Sequence, residues 1–193
     1  FKSGDGSGVL EDTEVSAVIP VDLNAFMAKS AGIIHHLLQL DNSPEASVWK
    51  EREQDLVQSM EALMWDEEQG AWCDVSVTTG LRRRVFSASN LVPLWTKSMP
   101  LHLVEMRAKR CLEYLRNHLQ QSDITGVPTT LVRSGEQWDL PNIWPPLEHM
   151  VIMGLYNSDN PEAMEQARCM AKTRVGICQE LFTKTGHMYE KVA

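Results

Sequence analysis

The chain has 193 residues and a formal net charge of -8, with 43% hydrophobic and 23% charged side chains. These proportions are ordinary for a folded globular chain and exclude disorder as its main state. The acidic balance argues against a nucleic-acid or anionic-membrane surface, because both require a basic patch.

Residues 1–18 are rich in Gly, Ser, Asp and Glu and read as a mobile lead-in to a domain over residues 19–193. Apolar residues then recur at helical spacing at Leu23, Phe26, Met27, Ile33, Ile34, Leu37 and Leu38, predicting a helix over 22–40. Ser43-Pro44-Glu45 is a helix start signal, and the next helix is expected over 44–65 with Val48, Leu56, Met60 and Leu63 inward. Gly70 breaks that pattern. A short β-hairpin near Gly80 is expected, with Ala71 to Val77 against Arg82 to Phe86. Its cationic run, Arg82-Arg83-Arg84, reads as a solvated tip. Further helices are expected over 101–121, 147–156 and 161–183, the last started by Asn160-Pro161-Glu162.

Cys73, Cys111, Cys169 and Cys178 show no C-x-x-C spacing, so no zinc site or redox motif is indicated and all four are expected to be small buried hydrophobes. The sequence leaves the compartment open: extracellular, membrane-anchored and cytoplasmic forms are all compatible with it.

The aromatic and proline-rich segments fall between helices rather than within them. Glu136-Gln137-Trp138-Asp139-Leu140-Pro141-Asn142-Ile143-Trp144-Pro145-Pro146 must be a loop, because its prolines remove backbone donors and push preceding residues toward extended conformations. Paired helices presenting such loops on one face point to an all-α architecture, a helical toroid with a cleft at one end. Trp138 and Trp144, with Asp139 and Asn142 between them, form a set suited to carbohydrate. Flat apolar rings stack on sugar faces, and carboxylate and amide groups bind hydroxyls. A second reading is open, in which both tryptophans plug the core and Asp139 caps the following helix. Glu190 likewise reads either as a solvated acid paired with Lys191 or as a glycosidase carboxylate.

The stretch Gln137 to Pro146 resembles the signature of the trehalase family, glycoside hydrolase family 37. Three other stretches resemble that family in the same order: Ile19-Pro20-Val21-Asp22-Leu23-Asn24-Ala25, Trp65-Asp66-Glu67 through Gly70-Ala71-Trp72-Cys73-Asp74, and Met188-Tyr189-Glu190-Lys191. The resemblance implies part of an (α/α)6 toroid, inverting hydrolysis of α,α-trehalose to two glucoses, trehalose as partner, and no metal or cofactor. It makes Glu190 the general base. The family's general acid, an aspartate in an S-G-W-D-like stretch before the region resembling Ile19 to Ala25, has no counterpart here. Ile143 and Pro145 stand where a small residue and alanine are usual, and Val192-Ala193 stands where Tyr-Asp usually follows Glu-Lys. The expectation is therefore a C-terminal portion of a trehalase catalytic domain that is inactive alone. The alternative is a trehalase-like binding or interaction protein without catalysis. A half-toroid is further expected to expose apolar helix faces and to self-associate.

Overall fold

The computed structural model describes residues 15–120 and 124–191. Of the expected lead-in, residues 1–14 lie outside the described residues, as do Gln121 and Val192-Ala193. Val15–Ala17 form a 3-10 turn leading into strand β1, Val18–Ile19.

Helix α1 spans Val21–Leu40, and the large apolar side chains that set its spacing are not its packed face. Val21, Ala25, Ala28 and Ala31 are buried, whereas Leu23, Met27, Ile33 and Leu37 are exposed. The alanine stripe lets backbones approach closely, and the Ser98 hydroxyl donates to the Ala25 carbonyl at 3.0 Å. Helix α2, Ala46–Leu63, packs along α1. Ser43 acts just before it: its hydroxyl accepts from the Glu45 N–H at 3.3 Å. Of the four α2 residues expected inward, Met60 is buried and Leu56 half-buried, but Val48 and Leu63 are exposed.

After α2 the chain turns back on itself. Strand β2, Trp65–Asp66, pairs antiparallel with β3, Ala71–Trp72, across a turn closed at Gly70 with φ +74°. Strand β4, Val75–Ser76, pairs with β1, so Val18 lies opposite Ser76 and Ile19 opposite Val75. The turn at Gly80 is held by the Ser76 N–H to Leu81 carbonyl bond of 2.9 Å and a single bridge between Val75 and Arg82. The longer ladder expected from Ala71 to Val77 against Arg82 to Phe86 does not form, because β1 takes β4 and β2 takes β3. The arginine run is not merely solvated either. Arg84 reaches the buried Asp66 at 2.7 Å and Glu68 at 2.7 Å, and Arg82 donates to the Ala62 carbonyl at 3.0 Å.

A 3-10 turn over Ala88–Leu91 runs into the short helix α3, Val92–Thr96, and a second 3-10 turn over Leu101–Leu103 runs into α4, Val104–Leu119. One face of α4 is buried through Val104, Ala108, Cys111, Leu112 and Leu115. Helix α5, Pro145–Tyr156, crosses α3 at Gly154, where a Cβ would lie 3.0 Å from the Trp95 backbone nitrogen. Helix α6, Pro161–Thr185, begins with the Asn160 side chain accepting from the Ala163 N–H at 2.9 Å and ends at the left-handed Gly186. The core between these helices is built on Trp72, Met60, Leu91, Leu94, Leu112 and Leu155. Cys73 and Cys111 belong to it; Cys169 is exposed and Cys178 half-buried, both on the open side of α6, so the expectation of four buried thiols fails there. Among the described residues no helix is long and apolar enough to cross a membrane.

Candidate functional site

The loop before α5 is organised by its own side chains. Asp139 is buried, and it accepts hydrogen bonds from the Thr130 hydroxyl at 2.6 Å and from the Ser134 hydroxyl. The Asp139 carbonyl accepts both the backbone and the side-chain N–H groups of Asn142, at 3.1 and 3.2 Å. Asp139 does not cap α5; the residue at that position is Trp144, which makes no side-chain cap. The carboxylate is spent instead on closing the loop on itself.

The two indoles meet. Trp138 and Trp144 stack with ring centroids 4.0 Å apart and planes 20° from parallel. Trp144 is 8% exposed and its indole N–H donates to the Gln137 carbonyl at 2.8 Å, whereas Trp138 is 46% exposed. Trp144 is thus anchored, and Trp138 lies over it with substantial open surface. An indole with open surface and a supported opposite side is a stacking platform.

The end of the chain returns to this platform. Beyond Gly186 the segment through Tyr189 is exposed, and the Lys191 ammonium lies 5.8 Å from the centroid of the Trp144 ring. Glu190, adjacent in sequence, is exposed. Lys191 therefore reaches the loop that carries Trp138, Asp139, Asn142 and Trp144, although α5 and α6 lie between them along the chain.

A second aromatic cluster was not anticipated as a unit. Trp65 and Trp72 meet edge to face at 4.7 Å, and the Arg107 guanidinium covers the Trp65 ring at 3.7 Å. Glu67 accepts from the Trp65 indole at 2.6 Å and from Arg107 at 3.2 Å, while Glu61 accepts from Arg107 at 2.8 Å and from the Trp72 indole at 3.1 Å. The Trp65 hydrogen bond, then the Arg107 bond and charge, hold the Glu67 carboxyl below its ordinary range. Burial pushes Asp66 upward, but N–H bonds from Gln69 and Glu68 with the Arg84 guanidinium prevail and keep it low. These groups bond to one another and form a structural brace, in which Arg107 Nε alone of the named polar atoms is buried without a partner among the described residues. Its sequence trace is the pair of tryptophans flanking the Gly70 turn.

A cavity of about 360 Å³ opens elsewhere, between α4, α6 and residues 124–127, lined by Leu112, Leu115, Leu119 and Met170 with Glu148 at its edge. It contains none of Trp138, Trp144 and Glu190.

Helix pairs with an aromatic, acid-bearing loop at one end make this part of a helical toroid. The neutral trehalase of Saccharomyces cerevisiae superposes with a TM-score of 0.75 at 20% identity, over 91% of this chain and 34% of that one. A GH63 mannosylglycerate hydrolase from Thermus thermophilus superposes with a TM-score of 0.65 at 17% identity, over 90% of this chain and 40% of its own. A family model described as Trehalase matches residues 1–193, and the chain belongs to the trehalase family. It is 37% identical over 191 residues to a trehalase of Bombyx mori and 32% identical over 189 residues to one of Apis mellifera. A human trehalase is 31% identical over 189 residues. The matches cover 98%, 97% and 97% of this chain, which spans about a third of each relative's length: 33%, 30% and 32%.

Proposed function

We propose that this chain supplies part of the active site of an inverting α,α-trehalase, with Glu190 as general base and Trp138, Asp139, Asn142 and Trp144 forming one wall of the sugar site. The observation that carries the reading is the return of the Glu190-Lys191 segment to the stacked tryptophans, with Lys191 at 5.8 Å from the Trp144 ring. Glu190 is the residue before that lysine, which supports assigning its carboxylate to the same surface.

Inversion needs two carboxyl groups roughly 6.5–9.5 Å apart, so that a water fits between the base and the anomeric carbon. Glu190 takes a proton from that water as it attacks. A second, protonated carboxyl on the other face delivers a proton to the departing glucose oxygen. Trp138 offers its open face to a glucose ring, and the amide of Asn142, fixed by Asp139, orients toward hydroxyls. Asp139 acts mainly by keeping the loop closed, since Thr130 and Ser134 already occupy its carboxylate.

The test is glucose release from trehalose by residues 1–193 and by a chain of the relatives' full length built around them. The longer chain is expected to hydrolyse trehalose and the 193 residues alone are not. In the longer chain Glu190→Gln keeps size and hydrogen bonding but cannot accept the proton, and turnover should fall about 10²–10⁴-fold. Near-normal turnover from that variant would remove Glu190 from the base role.

A further inference from the structure

We propose that the buried ion pair between Glu148 and Arg174 positions the aromatic loop for carbohydrate, holding Trp144 in register with the chain end that carries Glu190. The proposal rests on the sugar-site reading above. Glu148 sits in the first turn of α5, where its N–H donates to the Trp144 carbonyl at 3.2 Å, so its backbone already fixes that residue. Its side chain is 2% exposed. One carboxylate oxygen accepts the Arg174 Nε–H, and the other accepts the Val127 N–H at 3.1 Å. A single carboxylate therefore ties together the start of α5, the middle of α6 and the Gly126–Val127 loop.

Gly126 itself is closely approached, although the cavity described above opens beside it. Gly126 has φ +132°, and a Cβ on it would lie 2.7 Å from Arg174 Nη2, 2.7 Å from Glu148 Oε1 and 2.9 Å from Ile143 Cδ1. Ile143 is the residue before Trp144, so the side chain next to the aromatic ring in sequence converges on the same glycine as the guanidinium and the carboxylate. Arg174 Nη1 and Nη2 are buried and find no acceptor among the described residues. Apolar side chains of the same volume commonly match or exceed the stability of such a pair. What they would not supply is direction: a charged, hydrogen-bonded pair fixes the rotation of α5 about its axis relative to α6. That rotation sets where the Trp144 ring points.

Two variants separate positioning from bulk stability. Glu148→Gln combined with Arg174→Met removes both charges and strands neither, while Arg174→Lys keeps both charges but loses the directed Nε–H bond. The first readout uses the 193-residue chain: the exciton circular-dichroism couplet of the Trp138–Trp144 stack, isolated by subtracting the spectrum of Trp138→Phe. The second uses the full-length chain described above: KM and kcat for trehalose. Both variants are expected to melt near the parent temperature yet weaken the couplet, and to raise KM about tenfold while kcat changes less. Glu180→Gln, which breaks the exposed Glu180–Lys184 pair on α6 at 2.5 Å, should change neither readout. If either folded variant keeps the couplet and KM of the parent, the positioning role is wrong. If the longer chain hydrolyses no trehalose, the couplet alone decides this proposal, and the trehalase reading fails separately.

Discussion

Lys191 lies against Trp144, its ammonium 5.8 Å from the indole centroid, and Trp144 in turn supports Trp138 at 4.0 Å. Residues from the far end of the chain and from the central loop thus share one surface. The two tryptophans have unequal parts in it, and their substitutions should separate accordingly.

Trp138→Ala removes an indole that is 46% exposed and is expected to cost about 1 kcal/mol of stability. Trp144→Ala empties a buried site and should cost about 3–5 kcal/mol. Chemical denaturation of the 193-residue chain measures both. In the full-length chain Trp138→Ala should weaken trehalose binding, and equal losses of stability from the two variants would show that Trp138 is core rather than platform.

Asp66 gives the fold an acid limit. Its folded pKa is held below the ordinary aspartate value, so the stability it contributes is fully present above that value and is lost as pH falls through the folded pKa. Urea midpoints measured from pH 6 down to 2.5 should fall in the lowest part of that range. Arg84→Met removes the partner at 2.7 Å and should flatten that fall while lowering stability at neutral pH. An unchanged pH profile in that variant would show that Arg84 does not set the Asp66 titration.

Thiol chemistry should divide the cysteines. Burial pushes Cys73 up to about 11 and raises Cys111 further, so neither offers thiolate near neutral pH. Cys169 is exposed. A maleimide should label Cys169 first, Cys178 more slowly, and Cys73 and Cys111 only on unfolding. Early labelling of Cys111, read by mass spectrometry of peptides, would contradict the packing of α4.

Leu23, Met27 and Leu37 leave an apolar strip on the open side of α1. The isolated chain should associate with rising concentration, and Leu23→Gln with Leu37→Gln should suppress that. Sedimentation velocity over a hundredfold concentration range checks this. A monomer throughout would show that the strip is not adhesive.

The helices were legible where local signals agree: Asn160-Pro161 opens α6, and Ser43-Pro44 stands just before α2. Which face of α1 is buried was not legible, because size misleads there. Alanines pack at a close helix contact while leucines stay outside it. The β1 and β4 pairing joins segments on either side of two helices, and no local pattern encodes it. Asp139 shows the same limit at the site. Its identity was plain, but Thr130 and Ser134 claim it only through the loop's conformation. Glu148 left one faint trace, a lone acid at the spacing of Val151, Ile152 and Leu155 within an apolar run.

Helix α6 buries Ala163 and Ala167 and has Arg174 as a further anchor, while Val175 and Phe182 beyond it stand exposed. From Arg174 to the helix end at Thr185 the axis runs roughly 16 Å. The outer half is thus a lever arm, and the segment beyond its tip is caught again where Lys191 meets Trp144. A tilt of about 5° at the anchor would carry that tip about 1.4 Å, comparable to misplacements that can cost an enzyme about 10²-fold in rate. On the role proposed for Glu190, its aim depends on how that arm packs as well as on the residues beside it.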